Sequence, residues 1–168
     1  MRTAAVILLL ATCFFGSVDC YAQDPCPTRL VSSKPGEKPL TAAELVHRIL
    51  LQTAPKERRN LYFGDVEFIL RCGTERDATE LFADVRNTSV LMAGATVVES
   101  DKHAIRVSWE DGFKPNLAAF LFNFDTPLTA IPSPGEKIFI SGTYASYSKE
   151  PFQINMANPS FRPLPPKQ

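Results

Sequence analysis

Residues 137–156 read KIFISGTYASYSKEPFQINM, and this stretch decides the fold. Two β-rich runs, Lys137–Tyr144 and Phe152–Met156, flank a polar turn at 146–151, so the segment predicts a β-hairpin. Gly142 interrupts the first run, and a glycine inside a strand usually marks a bulge or a sharp bend of the sheet. Small closed β-barrels need such corners, so the hairpin favours that architecture.

Three further strands are predicted ahead of the hairpin. Val90–Glu99 is a long apolar run with Gly94 near its centre. Apolar and polar residues alternate from Ala104 to Trp109, which is typical of a strand with one buried face. Leu117–Phe124 carries a phenylalanine at every second position from 120 onwards. With the hairpin, these runs predict five strands.

The order of these strands resembles the OB-fold, especially the bacterial families called tRNA_anti-like. The resemblance rests on VLMAGATVVES from Val90, AIRVSW from Ala104, AFLFNF from Ala119, PGEKIFISGTY from Pro134 and PFQINM from Pro151. It covers residues 88–161 and implies a small five-stranded barrel. Many OB-folds place a helix between the third and fourth strands, but here residues 126–135 are short and proline-rich.

The helices are predicted before the barrel instead. Thr41 and Glu44 have the spacing of a capping box, which starts a helix that ends before Pro55. Glu75–Val85 has apolar residues at helical spacing and acidic residues in its first part, so it predicts a second helix. Residues 56–72 are ambiguous, and their alternation favours a strand. The predicted fold class is α+β, with an OB-like five-stranded β-barrel behind an N-terminal helical extension.

The first 22 residues have the pattern of an export signal. Arg2 gives a positive start, an apolar run follows from Ala4 to Ala11, and small residues precede a cleavage site after Ala22. The run is shorter than the roughly 20 apolar residues that a membrane-spanning helix needs. Leu10–Cys13 resembles a lipobox, which leaves open the alternative of a lipid anchor at Cys13. We expect an exported protein, periplasmic or secreted.

The chain is accordingly divided into five predicted parts. These are a signal peptide at 1–22, an irregular leader at 23–40, a helical or mixed extension at 41–87, the OB-like β-barrel at 88–161 and a proline-rich tail at 162–168. Cleavage of the signal leaves two of the four cysteines, Cys26 and Cys72. In an oxidising compartment these two predict one disulfide that ties the leader to the body.

The charge balance of the mature chain bears on its partners. Cleavage removes Arg2 and Asp19 from eighteen basic and eighteen acidic side chains, so seventeen of each remain. A nucleic-acid binder normally has a basic surplus or stripe, because phosphate neutralisation supplies most of its non-specific affinity. The balance therefore argues against nucleic acid as the partner.

The resemblance to the OB-fold also implies where a ligand would bind. Such folds use the face of strands two and three and the loops joining strands one to two and four to five, here 100–103 and 147–151. The candidate ligand-binding side chains are Lys102, His103, Arg106, Tyr144, Tyr147 and Lys149. The two tyrosines could stack on bases beside Lys149. Alternatively, they pack the end of the barrel with their hydroxyls at its rim.

No sequence motif indicates a reaction, a cofactor or a metal site. The chain has no glycine-rich phosphate loop and no histidine pair suited to a metal. We therefore expect a non-enzymatic exported module that binds an envelope protein, or a small or polymeric ligand, through the barrel face. The alternative is a single-stranded nucleic-acid-binding protein.

Overall fold

The computed structural model describes Cys26, Gly36 and residues 38–111 and 114–164, without the side chains of 110–118. The predicted signal peptide, Cys13 and most of the leader lie outside these residues. Three α-helices come first: α1 (Ala42–Gln52), α2 (Phe63–Cys72) and α3 (Glu75–Val85), with a 3₁₀ turn at Arg58–Asn60. Five strands follow: β1 (Ser89–Ser100), β2 (Ala104–Asp111), β3 (Lys114–Asn123), β4 (Lys137–Lys149) and β5 (Phe152–Pro163).

The five strands close into a barrel in the order β1-β2-β3-β5-β4, and β4 pairs back with β1. Only β3 and β5 run parallel among these neighbours; the other pairs are antiparallel. The predicted α+β fold class, an OB-like five-stranded barrel behind N-terminal helices, is confirmed. One apolar core runs from the helices into the barrel interior.

The two strand glycines lie where the barrel bends. Gly94 has φ +86° and falls at a shift in the register between β1 and β4. Gly142 faces Phe122, and a Cβ built on it would stand 3.0 Å from the Phe122 Cε1 atom. The first glycine thus supplies a backbone conformation that other residues rarely adopt, and the second supplies space.

Both predicted helices are confirmed. In α1 the Thr41 amide donates to Glu44 Oε2 at 2.7 Å, and the Glu44 amide donates to Thr41 Oγ1 at 3.2 Å. A second capping box, formed by Thr74 and Asp77, starts α3. No helix among the described residues has the length and apolar composition needed to cross a bilayer.

The predicted strand within 56–72 is wrong, because this segment forms the 3₁₀ turn and α2. Its alternating residues Val66, Phe68 and Leu70 are buried, but so is Ile69 between them. A helix that is covered by other helices on one side and by the barrel on another buries successive residues, which blurs its period. Phe63 shows the barrel contact: its ring lies 4.8 Å from that of Trp109, edge to face.

The closing hairpin is longer than predicted. Its turn is confined to Glu150 and Pro151, because β4 continues to Lys149 and β5 runs on to Pro163. The predicted limit of the barrel at 161 is therefore two residues short. The last part of β5 pairs with β4 but has no β3 partner beyond Met156, and such an edge tolerates proline. Residues 165–168 of the predicted tail lie outside the described part of the chain.

Candidate functional site

The two loops that the OB-like fold would use for binding lie at different points along β3, one at its end and the other near its middle. The loop between β1 and β2 is followed by Ala104, which pairs with Asn123 at the end of β3. The turn between β4 and β5 is followed by Phe152, two residues before Ile154, which pairs with Phe120. The two loops are thus about five residues apart along β3, or about 17 Å. The six candidate side chains therefore do not form one cluster.

Lys102 and His103 are exposed on a loop whose backbone is held firmly. The Asp101 carboxylate accepts from the amides of His103 at 2.6 Å and Ala104 at 2.8 Å. These two hydrogen bonds lower the pKa of Asp101. The carbonyl of Lys102 accepts from the Leu128 amide at 2.8 Å, so the segment between β3 and β4 supports the loop from the other side. The loop presents its two basic side chains to solvent on an ordered backbone.

Tyr147 and Lys149 are held by the helices instead. Lys149 Nζ donates to the carbonyl of Gly73, between α2 and α3, at 3.1 Å. The Tyr147 ring lies 4.9 Å from that of Phe82 on α3. The helical extension thus packs against this end of the hairpin and engages both side chains.

Arg71 of α2 adds a third contact to the same end of the hairpin. Its guanidinium lies 4.0 Å from the centre of the Phe152 ring, and its Nη2 donates to Glu67 at 2.9 Å. Burial lowers the pKa of Arg71, and the neighbouring Glu67 carboxylate partly offsets this. A cation over an aromatic face gains more when it is desolvated, so this contact helps to hold α2 on β5.

Tyr144 does not face outward, as its place among the candidate ligand-binding side chains would require. Only 3% of the residue is exposed, because it shares the inward side of β4 with Ile138 and Ile140. Its ring packs in the core, as the packing alternative holds, but its hydroxyl is buried and does not reach the rim. Burial raises the pKa of the Tyr144 phenol, and the nearby Glu67 carboxylate raises it further. The two-residue alternation of apolar residues along β4 already predicts the inward position of Tyr144 from the sequence.

We expect Tyr144→Phe to keep or improve stability. The Tyr144 hydroxyl is buried without a hydrogen-bond partner among the described residues, so its removal should raise the free energy of unfolding by up to about 1 kcal/mol. Because the folded pKa lies above the unfolded value of about 10, the wild type loses stability as pH rises from about 10 through the folded pKa. Urea unfolding at neutral and alkaline pH measures both effects.

Tyr147→Phe, at a partly exposed site of the same strand, controls for loss of a phenol. A Tyr144→Phe variant whose folding equilibrium constant at neutral pH is several-fold lower than that of the wild type would contradict the prediction. So would a variant that loses as much stability as the wild type when the pH is raised.

Arg106 belongs to a hydrogen-bonded row of side chains that no local sequence pattern predicts. Its Nε donates to Glu99 on β1, and its Nη2 donates to Gln153 Oε1 on β5 at 3.0 Å. Gln153 Nε2 donates to Asn155 Oδ1 at 2.6 Å, and Asn155 Nδ2 donates to Ser146 Oγ on β4 at 2.9 Å. We call these five side chains the polar row.

The strand register explains the polar row. Arg106 pairs with Glu99 on one side and with Leu121 of β3 on the other. Leu121 in turn pairs with Asn155, which lies next to Ser146 of β4. The row therefore crosses the outside of the barrel from β1 to β4, and only Leu121 interrupts it with an apolar side chain. The polar residues at 153 and 155 predict that this face of β5 points outward. The sequence does not predict that Arg106 lies near them across β3, because that depends on the order of the strands in the barrel.

The polar row carries no net charge and can both donate and accept hydrogen bonds. One guanidinium balances one carboxylate, while two amides and a hydroxyl supply both donors and acceptors. The described residues contain no group of three or more His, Cys, Asp or Glu side chains that could hold a metal ion.

Comparisons with protein-family models, with curated proteins and with solved structures yielded no match to this chain.

Proposed function

We propose that this chain is an exported, non-catalytic binding module that holds an uncharged polar partner against the polar row. The partner is a segment of an envelope protein or a polar polymer. One observation carries the proposal: a charge-balanced row of hydrogen-bonding side chains crosses the barrel face from β1 to β4. The Cys26–Cys72 disulfide is compatible with export, because such bonds persist in oxidising compartments.

The polar row suits a partner that carries peptide groups or hydroxyls. Its amides and hydroxyl bond to one another, so a partner can exchange these bonds for its own at small net cost. Leu121, partly buried within the row, offers an apolar contact between the polar groups. A row with no net charge also gives no long-range attraction to phosphates.

The contacts give less support to a single-stranded nucleic-acid binder. Such proteins combine free cations with exposed aromatic platforms. Here Arg106 is paired with Glu99, and Lys149 is bonded to the Gly73 carbonyl. Tyr147 packs on Phe82.

We expect the double variant Gln153→Ala, Asn155→Ala to weaken capture of the partner about tenfold or more, because two amides of the polar row are lost. The immobilised chain is incubated with an envelope extract, and the retained protein or polymer is quantified against wild type. Ser160→Ala, at an exposed site of the same strand, is the matched control and should retain wild-type capture.

A salt titration separates the two functions. Binding to the polar row should change by less than about twofold as salt rises, whereas phosphate-driven binding falls steeply. Tight binding of a single-stranded oligonucleotide with a steep salt dependence would overturn the proposal. Equal capture by the double variant and the wild type would show that the polar row does not bind the partner.

A further inference from the structure

A small pocket lies at the bend of β1, apart from the polar row. It has a volume of about 250 Å³ and is lined by Ala93, Gly94, Thr96, Trp109 and Lys137. We name it the Gly94 pocket. We propose that it binds a small planar carboxylate, with the ring against Trp109 and the carboxylate on Lys137. This site is separate from the one proposed above and does not depend on it.

The backbone at Gly94 is shaped for close approach. Gly94 drops out of the register between β1 and β4, where Ala93 pairs with Phe139 and Ala95 with Ile138. A Cβ built on Gly94 would contact only Leu164, at 3.9 Å. The glycine is therefore required by its φ of +86° and not by crowding from neighbours. Bulges of this kind leave open backbone at the surface, where a ligand can reach it.

Trp109 gives the pocket a flat, fixed wall. The Phe63 ring of α2 packs against it at 4.8 Å and 89°, and Phe63 itself is buried. The indole is therefore held in one orientation by the core, while part of it remains accessible and lines the pocket. Planar rings pack well against such a surface.

Lys137 supplies the charge. It is exposed, and it forms no salt bridge with the described residues. The neighbouring Glu136 carboxylate is turned to the Ser133 amide, from which it accepts at 3.0 Å. An ammonium at the mouth of a pocket attracts an anion, and a carboxylate can also accept from the hydroxyl of Thr96.

The size of the pocket restricts the ligand. A volume of 250 Å³ equals that of about eight water molecules and lies below the range of about 300–1,000 Å³ for drug-sized ligands. A single ring that bears one carboxylate suits this volume.

The test uses benzoate as the probe and the fluorescence of Trp109, the only tryptophan of the full chain, as the signal. We expect a saturable change with benzoate, and binding of the uncharged benzamide that is weaker by up to about fivefold, because an exposed ion pair contributes modestly. Lys137→Met should weaken benzoate to the level of benzamide, whereas Lys137→Arg should retain the difference. Lys56→Met, at an exposed lysine ahead of the 3₁₀ turn, is the control and should match the wild type.

No saturable change with benzoate would overturn the proposal. Equal binding of benzoate and benzamide to the wild type would also overturn it, as would a preference for benzoate that survives in Lys137→Met. A circular-dichroism spectrum of each variant shows that the barrel is intact.

Discussion

Cys26→Ser is expected to lower the free energy of unfolding by about 4 kcal/mol, the largest loss among the substitutions considered for this chain. Cys26 and Cys72 are bonded across a sequence separation of 46 residues, with their Cα atoms 5.3 Å apart. A cross-link of this span restricts the unfolded chain and so lowers its conformational entropy, which favours the folded state. It also holds Cys26 at the end of α2, next to the Gly73 carbonyl that binds Lys149.

Urea unfolding followed by far-ultraviolet circular dichroism measures this loss. The substitution is made at Cys26 because Cys72 also packs against the core, so changing Cys72 would mix packing with the cross-link. The wild type in excess reducing agent should show the same midpoint as Cys26→Ser, and the variant should not respond to the reducing agent. A variant within about 1 kcal/mol of the wild type would mean that the cross-link contributes little to stability.

Arg58→Met is expected to lower the free energy of unfolding by about 3 kcal/mol. Arg58 is buried in the 3₁₀ turn, and its Nη1 donates to Glu80 at 2.8 Å and to Asp84 at 3.0 Å. Its Nη2 and Nε donate to the carbonyls of Leu50 and Thr53, where α1 ends. Removal of this guanidinium breaks the hydrogen bonds that link the end of α1 to α3, and it leaves carbonyls at the helix end without a partner.

The electrostatics of Arg58 agree with this expectation. Burial by itself lowers the pKa of Arg58, but the hydrogen bonds to the two carboxylates more than offset it, so the pKa is raised. The guanidinium therefore remains charged in the folded protein. Glu80 is about half exposed, with 49% of its side chain accessible. Water therefore compensates Glu80 in part for the ion pair that it loses in Arg58→Met.

Arg59→Met is the matched control for Arg58→Met, because the neighbouring side chain is exposed and carries the same charge. It should change the free energy of unfolding by less than about 0.5 kcal/mol. Arg58→Lys should recover only part of the loss, because an ammonium cannot reproduce the fork of the guanidinium. Equal midpoints for the two methionine variants would contradict the role of Arg58.

The basic segment around Arg58 shows where the sequence is uninformative. Lys56, Arg58 and Arg59 form one basic cluster, and nothing local distinguishes the buried arginine from its exposed neighbours. Its carboxylate partners, Glu80 and Asp84, lie 22 and 26 residues further along the chain. The difference between Arg58 and Arg59 thus arises only when α3 packs beside the 3₁₀ turn.

The candidate site was predictable to a similarly limited extent. The position of Tyr144 on the inward side of β4 follows from the two-residue period of the strand, which is a local property. The contacts of Tyr147 and Lys149 with the helices do not follow from any local pattern, because they require segments distant in sequence to meet.

By itself the sequence determined the features that depend on neighbouring residues: the capping box at Thr41, the helix Glu75–Val85, the alternating strands and the glycine bends of the barrel. Backbone conformation, capping and side-chain period act over a few residues, so they can be recognised locally. Only the tertiary structure decided that 63–72 is a helix, that Arg58 is buried and that Arg106, Gln153 and Asn155 share one row. These features require strands and helices distant in sequence to meet, and the free energy that selects them comes from packing and desolvation between those elements.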